Sequence, residues 1–112
     1  MRYLLLILLL TTGCSTLRSG LEIEPGATFV LGGEQRGAFT VEILNTGEAA
    51  VSVSEVRASG DTLRVASVAP GESASARFAR GSAALLANAG PRPASLDVTV
   101  TGDTNLGMRY TE

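Results

Sequence analysis

From Leu21 to Tyr110, apolar side chains return at nearly every second position, and this period limits the fold more than any other feature of the chain. "LEIE" sets Leu21 and Ile23 against Glu22 and Glu24, and "FTVEIL" sets Phe39, Val41 and Ile43 against Thr40 and Glu42. Val51 and Val53 alternate with serines until the phase slips at Val56, which predicts a bulge. Leu63 and Val65 follow, then Ala74, Ala76 and Phe78, then Leu96, Val98 and Val100, and finally Leu106, Met108 and Tyr110. A period of two over short runs is the pattern of half-buried antiparallel strands, whose successive side chains point to opposite faces.

Turn chemistry separates the runs. Asn45-Thr46-Gly47, Ser59-Gly60-Asp61, Pro70-Gly71-Glu72 and Thr101-Gly102-Asp103 supply residues that tolerate or preset turn dihedrals. The fold class expected is all-β, an antiparallel sandwich of about seven strands. One stretch departs from the period: Gly81 to Gly90, "GSAALLANAG". It predicts a short helical turn near residues 82–88, capped by Ser82, running over Ala83 to Ala87 and ended by Asn88 or Gly90. Pro91 and Pro93 then stiffen the approach to the next strand. "SEVRASGDTLRV" and "LDVTVTGDTNLGMRY" share a strand, Gly-Asp-Thr, strand order, read here as two hairpins that converged on one turn.

The order "VEILNTGEAAVSV", "VAPGESASARF", "LDVTVTG" resembles bacterial immunoglobulin-like domains of the adhesion-associated type. It is also similar to the sandwich of the late-embryogenesis-abundant, water-stress class. The resemblance covers most of residues 37 to 102 and implies an immunoglobulin-like fold without catalytic residues.

Residues 1–13 read as a cleavable signal peptide. Arg2 supplies a positive charge and Leu4 to Leu10 an apolar run, too short for the roughly 20 residues that cross a bilayer. Thr11-Thr12-Gly13-Cys14 resembles the lipobox of bacterial lipoproteins, with Thr11 where that family commonly has leucine. The resemblance implies cleavage before Cys14 and lipidation of its thiol. Residues 14–20 are then the lipidated cysteine and a short tether, reaching roughly 20 Å when extended. Residues 21–112 are the sandwich domain. Each buried methylene contributes about 0.8 kcal/mol, so two or three acyl chains hold where one holds marginally. Ser15 replaces the aspartate that resembles an inner-membrane retention signal, which favours the periplasmic face of an outer membrane.

With 112 residues the chain makes one small domain, and its formal charge of -2 lacks the basic footprint of a nucleic-acid binder. It has no histidine, the usual acid-base catalyst and metal ligand near neutral pH, and its single cysteine excludes an internal disulfide. No catalytic residue, cofactor or metal site is predicted, and the chain is expected not to be an enzyme. Several weaker clusters are more economically explained by structure. "LGGEQRG", Leu31 to Gly37, lacks the ending of a phosphate loop and reads as a flexible hairpin loop. Asp97, Asp103 and Asn105 lack the density of a calcium loop. Glu22 with Glu24 fits a solvated edge, and Arg77, Arg80 and Arg109 fit surface ion pairs. The function expected is a membrane-anchored envelope lipoprotein acting as a structural or protein-interaction module with a partner in the envelope. The alternatives are a lipoprotein that binds a small ligand or metal through sandwich loops and, last, an envelope enzyme.

Overall fold

The computed structural model describes residues 15–111; residues 1–13, expected to be a signal peptide, and Cys14 lie outside them. Nine strands are formed: β1 (Ser15–Ile23), β2 (Thr28–Gly32), β3 (Phe39–Asn45), β4 (Val51–Val56), β5 (Thr62–Val68), β6 (Ser73–Phe78), β7 (Ala83–Ala87), β8 (Ala94–Gly102) and β9 (Met108–Thr111). They build a four-stranded sheet in the order β1-β8-β3-β6 and a five-stranded sheet in the order β5-β4-β7-β2-β9. Every pair is antiparallel. Eight strands in this order form the two interlocked Greek keys of a jelly roll, with β9 added beside β2. The expected all-β, two-sheet antiparallel sandwich is therefore present, whereas the immunoglobulin-like topology and the count of seven are corrected. An immunoglobulin sandwich pairs several consecutive strands; here only β4 and β5 are both consecutive and paired.

The expected helical turn at residues 82–88 is instead strand β7. "AALLA" favours helix by a few tenths of a kcal/mol per residue. It lies between β4 and β2 in the middle of its sheet, with Ala84 and Leu86 fully buried. Burying one leucine contributes about 1.5–3 kcal/mol, which outweighs that preference. The span expected as a tether is likewise the first part of β1, paired with β8 from Ser15↔Gly102 to Ile23↔Ala94. Its polar residues suit an edge strand, while Leu17 and Leu21 pack against the core. The slip expected at Val56 occurs earlier, between Val53 and Ser54, and the extra residue is Val65 on the partner strand β5.

The core lies between the sheets. Ile23, Leu31, Val41, Ile43, Val53, Leu86 and Leu96 fill it around the stacked rings of Phe39 and Phe78, whose centroids are 5.2 Å apart. Two buried asparagines lace the sheets together at one end. Asn45, closing β3, donates through Nδ2 to the carbonyls of Ala49 at 2.8 Å and Val68 at 3.0 Å, the latter ending a strand of the other sheet. Asn88, just after β7, donates to the carbonyls of Ile23 at 2.9 Å and Arg92, again reaching across. Each Oδ1 accepts from a glycine amide two residues on, Gly47 and Gly90, at 3.0 Å.

The matching asparagines belong to an approximate twofold that exchanges β1–β4 with β5–β8 and one sheet with the other. Residues Thr28 and Leu31 of β2 face Ala87 and Ala84 of β7; Ser73 and Ala76 of β6 face Leu44 and Val41 of β3 in the matching register. The Pro25-Gly26 and Pro70-Gly71 turns coincide: both glycines have φ of 82°, and they donate to the Asn88 and Asn45 carbonyls at 2.8 and 2.9 Å. Gly60 and Gly102 share a φ of 98°. The two Gly-Asp-Thr stretches thus fall at matching places of the fold, but they are not both hairpins as expected. Only the Gly60 turn is a hairpin; after Gly102 the chain crosses to the other sheet.

Candidate functional site

At the end of the sandwich where β1 begins, the segments β2–β3, β4–β5, β6–β7 and β8–β9 come together. The glycine-rich stretch Leu31 to Gly37 lies here and is pinned. Gln35 is buried; its Oε1 accepts from Gly33 N at 2.7 Å and its Nε2 donates to the carbonyls of Ala79 at 3.1 Å and Ser82 at 2.9 Å. Both amide protons of Gln35 thereby tie its loop to the β6–β7 segment, while its carbonyl oxygen braces its own loop. Asp103 fixes the same stretch from the β8–β9 segment, accepting from Gly37 N at 2.9 Å and Asn105 N at 3.0 Å. Those backbone donors, Asn105 first and then Gly37, hold its carboxyl below the ordinary aspartate range.

The other clusters considered from sequence disperse. Asp97 stands exposed on β8, apart from the Asp103–Asn105 turn. Glu22 is on β1 and Glu24 lies beyond its end. Arg77 and Arg109 belong to different sheets. Among the described residues the only ion pair is Arg92–Glu48, at 3.0 Å and exposed, and no three His, Cys, Asp or Glu side chains converge. Apolar side chains fill the space between the sheets.

A concavity of about 810 Å³ lies on the outer face of the four-stranded sheet. Two rows of facing residues floor it: Arg18, Thr99, Glu42 and Ser75, and beside them Gly20, Asp97, Leu44 and Ser73. Gly20 deepens the hollow, since nothing lies within 4 Å of where its Cβ would be. Carboxylates, hydroxyls and a guanidinium face solvent together here, equipped to exchange hydrogen bonds with a polar partner. Sequence reasoning missed this face because its strands are separated along the chain; the only local signal was the polar half of each alternating run.

Compared with protein-family models and curated protein sequences, the chain matches none. Solved structures do resemble it. Oxalate oxidase matches with a TM-score of 0.57 and 18% identity, over 86% of this chain and 45% of that one. Oxalate oxidase in complex with the substrate analogue glycolate gives the same score and identity, over 87% and 45%. Procruciferin, the 11S globulin of Brassica napus, matches with a TM-score of 0.51 and 19% identity, over 87% of this chain and 22% of its own. The chain thus spans less than half the length of each. These likenesses correct the expectation that the chain is no enzyme, which rested chiefly on the missing histidine: the fold found is one that oxalate oxidase also uses. At such identities the comparisons show architecture, and the architecture they show is the jelly roll.

Proposed function

We propose that the protein is a lipid-anchored envelope protein whose jelly-roll domain serves as a protein-interaction module. The observation that supports it is adjacency: Ser15, which directly follows the lipobox-like Thr11-Thr12-Gly13-Cys14 in sequence, is already part of β1. A diacylglyceryl group on Cys14 would hold the sandwich against the bilayer by the end at which Gln35 and Asp103 fix the loops. The periplasmic face of an outer membrane is the location this reading favours. Replacing Cys14 with serine tests it. Metabolic labelling with a radioactive fatty acid should mark the native chain and leave the C14S variant unlabelled and uncleaved. Equal labelling of both would sink the anchor.

A second reading, binding of a small polar ligand, is favoured by the hollow over Arg18, Glu42 and Asp97 and not by the loops expected from sequence. Backbone amide shifts on adding hydroxylated small molecules would cluster on β1, β3 and β8 if it holds; shifts scattered over the surface would reject it.

A further inference from the structure

We propose that the free edge of β6 receives an extended segment of a partner protein, added as an antiparallel strand. This deepens the interaction-module reading and does not depend on the lipid anchor. The twofold supplies the argument. It carries β2 onto β6, and β2 already has such a strand beside it: β9, with Tyr110 facing Phe29 and Met108 facing Leu31. The Tyr110 ring stands edge-on to Phe29, with centroids 5.0 Å apart. Next to β9, the slot lined by Leu17, Leu21, Phe29, Leu31 and Met108 is closed down to about 20 Å³.

Among the described residues, no strand holds the matching place beside β6. There the counterparts of Phe29 and Leu31 are Ala74 and Ala76, which leave more room for an incoming side chain. The counterpart of β1 is β5, and it leaves Leu63 46% and Val65 41% exposed. Added strands gain affinity from main-chain hydrogen bonds and selectivity from alternate side chains. The chemistry that fits is therefore an extended segment with large apolar residues two apart, facing Ala76 and Ala74, and a carboxylate before the first of them, facing Arg77. A second copy does not supply it, because its β9 is already seated on β2.

The test uses the full chain and a labelled peptide of residues 105–112 carrying Gly107→Glu, which places the carboxylate, methionine and tyrosine in that order. Saturable binding is expected, with a photoreactive group at the tyrosine position labelling β6 or β5. N-methylation of alternate peptide amides should weaken binding at least about tenfold, the loss of about 1.4 kcal/mol in main-chain bonding. Arg77→Glu should weaken it too, with an unchanged melting temperature showing that the fold survives. Absence of saturable binding, labelling of β2 through displacement of β9, or indifference to N-methylation would each overturn the proposal. A dimer of the protein alone, crosslinked through β6, would also overturn it by making a second copy the occupant. None of these results alters the acylation of Cys14, so the two readings fail separately.

Discussion

Asn45 and Asn88 each satisfy three backbone groups, and both do so where the two sheets meet. Removing either amide strands buried carbonyls, so Asn45→Ala and Asn88→Ala should each lower stability by about 2–4 kcal/mol in urea unfolding. Their Asn-x-Gly context was legible as turn chemistry. Their reach was not, because the carbonyls they bridge to lie 23 and 65 residues away in sequence. The two equivalent glycines separate strain from collision. A Cβ at Gly60 would meet nothing within 4 Å, whereas one at Gly102 would lie 2.7 Å from the Ala38 carbonyl oxygen. Gly60→Ala should cost about 1–2 kcal/mol for the left-handed backbone alone, and Gly102→Ala distinctly more in the same assay. Asp103 brings a pH dependence whose sign is fixed. Its folded-state pKa is lowered, so the stability it contributes is present above the ordinary carboxylate value of about 3.9 and disappears as pH falls through the folded value. Amide exchange at Gly37 and Asn105 should quicken over that acid range after correction for intrinsic rates, and Asp103→Asn should remove the extra dependence.

Among the elements, β7 shows where local composition misleads. Ala83 to Ala87 carries no β-branched residue to announce a strand, and its neighbours β2 and β4 come from the first half of the chain. Strand preference is largely a matter of fitting a packed, pleated surface, and that surface is assembled from remote residues. Leu86→Ala should cost about 2–5 kcal/mol, the loss expected for a buried sheet position and not for a solvated helical turn; thermal and urea unfolding would measure it. The opposite holds for β3 and β8, whose apolar alternation survives into the structure residue by residue: Val41 and Ile43, like Leu96, Val98 and Val100, face the core. At β1 the alternation extends further towards the N-terminus than "LEIE" disclosed, because Thr16, Arg18 and Gly20 give its outer face the composition of a linker.

Taken whole, the sandwich is woven. Every strand pair joins one of β1–β4 to one of β5–β9, and no pair forms within either group. Neither group can bury its apolar faces alone, so fragments 15–58 and 59–112 should each lack strand signal in circular dichroism, while the intact chain unfolds in a single transition. Distant pairing also predicts slow folding for a chain of this size. The two-layer architecture was legible because a period of two reports only that each strand has an inner and an outer face. Strand order was not, since it rests on which remote strands meet, and the hollow over Arg18, Glu42 and Asp97 depends on that order. The ladder between β1 and β8 has a mechanical consequence. If the chain is held at Cys14 and loaded from the opposite end of the sandwich, tension runs along β1. The nine facing residue pairs of that ladder then resist together in shear, where a peeling load would break them one after another. A domain attached in this way would bear sustained pulling between a membrane and whatever it grips.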